Sequence, residues 1–154
     1  SENFCTNAQI AKLGEFFADC IRENHIEFDC IVGMAYHGIS FASATAIALY
    51  QKYGITTNFC HDRKVNDSRG RMVCGHMPQA GERIIVIDDL VSSGRTLTER
   101  LDHLVSETKA NIAAILVIAQ KEPGASLLEK NHKTRVLSVI NDEDISCALR
   151  DGII

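Results

Sequence analysis

No stretch of these 154 residues is apolar for the length that a membrane span needs. The first residues lack a basic segment followed by an apolar one, so no secretory signal is visible. An excess of positive charge is also missing. The net charge is −4, which argues against a general binder of nucleic acid or membrane surfaces. No pair among the six cysteines (Cys5, Cys20, Cys30, Cys60, Cys74 and Cys147) has CxxC spacing. Most lie in apolar surroundings and read as reduced, partly buried thiols of a cytoplasmic protein. Cys60, His61, Cys74 and His76 match no structural zinc spacing. A glycine-rich dinucleotide fingerprint, a legible Ser–His–Asp arrangement, internal repeats, low-complexity segments and domain linkers are all lacking.

Hydrophobic residues make up 45% of the chain, enough for one domain, residues 1–154, with a sizeable core. Thr6-Asn7-Ala8-Gln9 has capping-box spacing and opens an amphipathic helix to about Asn24. Its buried stripe is Ile10, Leu13, Phe16, Phe17, Cys20 and Ile21. Strands are predicted over Phe28–Met34, Thr56–Cys60, Ile84–Ile87, Ile112–Ala119 and Val136–Ile140. Helices are predicted from Gly38–Ile39 to about Tyr53, over Leu97–Glu107 and, shorter, over Ser126–Asn131. The alternation of strands and helices predicts an α/β fold, a mainly parallel sheet flanked by helices on both faces. Asp62–Ala80 is polar, without a clear period, and too long for an ordinary connection.

Arg83–Leu97, RIIVIDDLVSSGRTL, carries the most chemistry. An apolar strand delivers Asp88 and Asp89 to the carboxyl edge of the sheet, where open α/β folds bind ligands. Carboxylates there can accept hydrogen bonds from vicinal ribose hydroxyls, or hold magnesium directly or through water. Ser92, Ser93, Gly94, Arg95 and Thr96 follow at the start of a helix, where backbone N–H groups face an anion. The hydroxyls add donors, and Gly94 permits close backbone approach. The plain alternative is an ordinary turn with Asp and Ser as caps. His25, His76, His103, His132, Glu99 and Arg100 read as surface or structural residues. His61, beside the polar segment, is a weaker candidate for lining the site.

The stretch resembles the binding signature of the type I phosphoribosyltransferases. EFDCIVGMAYHGISFASATAIAL further resembles an orotate phosphoribosyltransferase segment of the pattern FDxxxGPAYKGIPxAxxxAxAL. HDRKVNDSRGRMVCG resembles that family's mobile catalytic loop, NRKExKDHGEGGxLVG, and QKEPGAS resembles DRQERGAS. The resemblance implies transfer of ribose 5-phosphate from phosphoribosyl pyrophosphate (PRPP) to orotate in pyrimidine nucleotide synthesis. Mg²⁺ and a homodimer whose loops close over each other's sites are implied with it. It places the 5′-phosphate on Ser92–Thr96 and the ribose hydroxyls on Asp88 and Asp89. Tyr36, His37, Arg63 and Lys64 face the pyrophosphate, and Gln120 faces the orotate carboxylate. Asp88, Asp89 and Lys64 are the implied catalytic residues.

Several positions depart from the pattern. His37 stands for a lysine, Asp67 for the catalytic lysine of the loop, Arg69 for a histidine, and Gln120 for an arginine. Asp67 is expected to repel a pyrophosphate, and Arg69 to restore a positive charge in a different place. Nothing matches the SGxxSxxY hood segment that covers the base in the family, so the base pocket is expected to be incomplete. A catalytically impaired PRPP-binding regulator, or a subunit pairing with an intact relative, is the alternative to the enzyme.

Overall fold

The computed structural model describes residues 6–140. Cys5 and Cys147 lie outside them. Thr6 opens the first helix as the sequence predicts. Its Oγ1 accepts from the Gln9 N–H, and its own N–H donates to Gln9 Oε1, closing a capping box. The elements run α1 (Asn7–Glu23), β1 (Cys30–Gly33), α2 (His37–Tyr53), β2 (Asn58–Asp62) and β3 (Val73–Gly75). Then come β4 (Arg83–Val91), α3 (Arg95–Thr108), β5 (Asn111–Gln120), α4 (Gly124–His132) and β6 (Arg135–Ser138).

The six strands form one sheet in the order β3-β2-β1-β4-β5-β6. All neighbours are parallel except β3, which pairs antiparallel with β2. Each central strand alternates its side chains between two cores. Val32, Ile84, Val86, Ile115 and Val117 pack with Leu97, Leu101, Leu104 and Leu128 of α3 and α4. Ile31, Ile85, Ile87, Leu116 and Ile118 pack with Leu13, Phe17, Ile21, Phe41 and Leu49 of α1 and α2. Each such side chain contributes about 1.5–3 kcal/mol when taken out of water, so burial on both faces dominates over helix propensity.

Three local differences from the sequence expectation have physical causes. β3 lies inside the polar segment 62–80. It is held by pairing Val73 with Asp62 and Cys74 with His61 rather than by any hydrophobic period. β4 does not stop at Ile87; it continues through both aspartates to Val91, because β5 pairs with it as far as Gln120. α4 starts at Gly124, two residues early, where Gly124 and Ala125 are buried against neighbouring backbone.

The strand order reverses between β1 and β4. The chain moves outward from β1 to β2 and β3, then returns beside β1 and moves the other way. The connections leaving β1 and β4 therefore diverge, opening a crevice at the carboxyl edge of the sheet, where ligands of such folds bind.

Candidate active site

Both sides of that crevice carry the residues singled out from sequence. After β1, the chain passes through Ala35 and the exposed Tyr36 into α2, whose first residue is His37. The Met34 N–H donates to the Ile87 carbonyl at 2.9 Å, which keeps this turn level with Asp88. Gly38 packs directly on that carbonyl, leaving no room for a side chain. On β4, Asp88 and Asp89 are half-buried. His37 Nδ1 lies 2.8 Å from Asp89 Oδ2 and donates to it, so the two sides of the crevice meet.

Asp88 differs from its neighbour. Burial pushes its carboxyl up to about 7, against an opposing hydrogen bond from the Asp89 N–H. The charges of Asp89 and Asp62 raise it further, and Arg100 pulls it down. Asp88 is thus poised between its neutral and ionised forms near neutral pH, and added positive charge in the crevice favours the ionised form.

The loop after β4 is built to approach an anion. Gly94 has φ +73 and caps α3, and beside it the Ser93 Oγ accepts from the Arg95 N–H at 3.4 Å. A Cβ on Gly94 would sit 2.7 Å from the Gly124 carbonyl oxygen. Glycine is therefore required by close packing on α4 as well as by backbone conformation, a packing role that sequence spacing does not reveal. Ser92, Ser93, Arg95 and Thr96 are exposed around this helix start. Ser93 thus takes part in the helix start as the plain alternative expects, while the cap residue itself is Gly94. Gln120 ends β5 opposite Val91 and is exposed at the same edge.

The basic pair sits where β2 ends. Lys64 Nζ stands 4.5 Å above the Tyr36 ring, bringing the root of the 63–72 connection to the turn after β1. Arg63 Nε is buried without a hydrogen-bond partner. A guanidinium N–H in that state suits an incoming anion.

Asp67 is engaged within its own turn. Asp67 Oδ1 accepts from the Arg69 and Arg71 N–H groups, both at 2.9 Å. Its Oδ2 pairs with the Arg71 guanidinium at 3.0 Å. These bonds, first that of the Arg71 N–H, hold the Asp67 carboxyl below the ordinary range. The carboxylate shapes its own turn.

Arg100 departs from the sequence expectation. Expected on a solvated helix face, its side chain is only 18% exposed and is paired with the buried carboxylate of Asp62. Of the histidines, His76 pairs with Glu82 at 2.9 Å and His132 approaches Asp102 at 3.8 Å. His61 lies within β2 opposite Cys74, its Nδ1 3.1 Å from the Asp62 carbonyl. Cys30 and Cys60 are buried free thiols 3.9 Å apart. A hollow of about 830 Å³ opens at the opposite edge of the sheet, but Arg83 in its wall is occupied by Asp29 and Glu27.

A strand-borne acidic pair, a glycine-capped helix start and a basic pair thus meet at one sheet edge. The profile of the phosphoribosyl transferase domain matches residues 2–148. The chain belongs to the phosphoribosyltransferase family. This is a family of glycosyl-transferring enzymes. The orotate phosphoribosyltransferase of Haemophilus influenzae is 34% identical over 151 residues, covering 92% of this chain and 70% of that protein. The crystal structure of the orotate phosphoribosyltransferase of Francisella tularensis shares the fold, with TM-score 0.80 and 24% identity. It covers 96% of this chain and 71% of that one. The Mycobacterium tuberculosis orotate phosphoribosyltransferase, solved with PRPP, superposes with TM-score 0.74 at 15% identity, covering 93% of this chain and 79% of that one.

Proposed function

We propose that this phosphoribosyltransferase joins orotate to ribose 5-phosphate with loss of pyrophosphate, as a step of pyrimidine nucleotide synthesis. One observation carries the reading. The crevice between β1 and β4 sets the paired Asp88 and Asp89 beside the glycine-capped start of α3, with His37 bridging across at 2.8 Å. The identity with curated orotate phosphoribosyltransferases supports orotate as the acceptor. None of the comparisons described above supports a non-catalytic role.

In this reading the Gly94, Arg95 and Thr96 N–H groups and the Ser92 and Ser93 hydroxyls bind the 5′-phosphate. Asp88 and Asp89 accept from the ribose hydroxyls and orient the ring. Tyr36, His37, Arg63 and Lys64 line the pyrophosphate side, and Gln120 donates its amide to the orotate carboxylate. Catalysis then rests on positioning and on charge placed ahead of the reaction, since little covalent chemistry falls to the protein. Asp88 and Asp89 fit a Mg²⁺ ion that arrives with substrate oxygens, held indirectly through ribose hydroxyls or water. No group of three ligating side chains among the described residues would hold the ion alone. Bound there, Mg²⁺ would steady the charge of the leaving pyrophosphate.

Two further parts belong to the reading. Ile47, Tyr50 and Phe59 are exposed apolar residues beside a hollow of about 400 Å³, a surface suited to a second copy in a homodimer. The buried free thiols support a cytoplasmic location, and no described helix is long and apolar enough to cross a membrane.

The test mixes the protein with PRPP, Mg²⁺ and each common base, and follows pyrophosphate release. Release with orotate is expected. Tight PRPP binding without turnover on any base would sink the enzyme reading and leave a PRPP-binding regulator. Sedimentation at micromolar concentration should show a dimer.

A further inference from the structure

Asp62 is the one buried carboxylate among the described residues, 2% exposed at the end of β2. A charge so placed must be paired and fully hydrogen-bonded. Its Oδ1 accepts from the Ala35 N–H at 2.5 Å. Its Oδ2 accepts from Arg100 Nε at 2.9 Å and from Arg100 Nη2. Asp62 and its two partners belong to three separate pieces of the site. Ala35 immediately precedes Tyr36 and His37. Asp62 immediately precedes Arg63 and Lys64. Arg100 is in the second turn of α3, the helix that starts at the phosphate loop.

Buried ion pairs are poor devices for stability, because desolvation offsets most of their attraction. They are better at holding one geometry, and the planar Arg100 fork suits that task. The pyrophosphate turn touches the root of the basic connection through Tyr36 and Lys64, and touches β4 through His37 and Asp89. The Asp62 carboxylate joins that turn, the basic connection and the helix carrying the phosphate loop at one point.

We propose that Asp62 and Arg100 form a positioning bridge that sets the pyrophosphate-facing residues against the phosphate loop without touching either substrate. This rests on the phosphoribosyl-transfer reading above.

The test compares the parent with Asp62→Asn, Arg100→Gln, Arg100→Lys and the double variant Asp62→Asn/Arg100→Gln. Folded fraction is measured by circular dichroism at the assay temperature, together with kcat, KM for PRPP and PRPP affinity by calorimetry. Asp62→Asn keeps an acceptor for the Ala35 N–H and frees an Arg100 that can reach solvent, so it remains folded. Misplacement of the reacting groups is expected to cost about 10- to 100-fold in kcat/KM for PRPP in Asp62→Asn and Arg100→Gln, with kcat falling at unchanged folded fraction. The double variant should lose less than the product of the single losses, since the two residues act as one unit. Arg100→Lys, which keeps the charge but not the fork, should fall between parent and Arg100→Gln.

Folded single variants with kcat/KM within twofold of the parent, or losses that only track the folded fraction, would overturn the bridge and leave the function standing. If the parent binds PRPP but turns over no base, the same ranking must appear in PRPP affinity, and equal affinities would overturn the bridge. A parent that neither turns over nor binds PRPP would overturn the functional reading, and the bridge with it.

Discussion

The end of β4 and the connection between β2 and β3 border the same crevice, yet they treat their polar groups in opposite ways. At β4, Ser92, Ser93, Arg95 and Thr96 are exposed around a helix start capped by Gly94. In the connection, Asp67 is fully engaged with Arg69 and Arg71, and Lys64 leans on Tyr36. The first region keeps donors open on a rigid strand and helix. The second satisfies Asp67 within its own turn, although Arg63 Nε at its root is buried without a partner. Open groups on a rigid frame identify the part that binds without rearrangement. Self-satisfied groups identify the part that a ligand must reorganise, and local contacts of that kind open at low cost.

The largest expected effect falls on the open region. Replacing Asp88→Asn together with Asp89→Asn should lower PRPP affinity by more than about 100-fold, since two charged acceptors are lost. The fold should stay intact, and calorimetry reads the affinity. Unchanged affinity would place the sugar elsewhere.

Stability of the same region should depend on pH. The Asp88 pKa is raised in the folded state, to about 7 from 3.8, so folding favours the protonated form. The strain it imposes is absent below the unfolded value and grows as pH rises toward 7. Asp88→Asn alone should therefore stabilise the protein by ~1–3 kcal/mol at pH 8 and by almost nothing at pH 4. Urea denaturation at the two pH values measures it, and a gain confined to acid pH would reverse the sign of the account.

Gly94→Ala tests the rigidity of the open region. The positive φ and the 2.7 Å approach to Gly124 should make the change cost about 1–3 kcal/mol. Loss of phosphate-loop geometry should accompany it, read as weaker PRPP binding in the folded variant. In the self-satisfied region the effect should be smallest. Asp67→Ala should leave global unfolding nearly unchanged while speeding hydrogen exchange at the Arg69 and Arg71 amides. Asp67→Lys gives the loop the positive charge of the family pattern, and a rise in turnover would show that the connection still closes over the site.

The same contrast explains what could be read from the sequence. The order of β1, β2, β4, β5 and β6 and their helices was legible because apolar runs alternate with amphipathic ones. Asp88–Thr96 was legible because a strand, two carboxylates and a small-residue loop are contiguous. β3 was not, because three residues held by cross-strand pairing leave no period. Arg100 was misread, and the partners of Asp67 went unseen, for a related reason. Asp67 looked like a charge aimed at the ligand, and its partners Arg69 and Arg71 are defined only once the turn has formed. Arg100 looked like a surface charge, and its partner Asp62 lies 38 residues away in the chain.

A crystal structure of the protein with PRPP and Mg²⁺ tests the central claim most directly. It should place the 5′-phosphate on the Gly94, Arg95 and Thr96 amides and the ribose hydroxyls on Asp88 and Asp89. The region from β4 into α3 should remain unchanged, with movement confined to residues 63–72. A 5′-phosphate seated on Arg63 and Lys64, with the start of α3 left free, would contradict it.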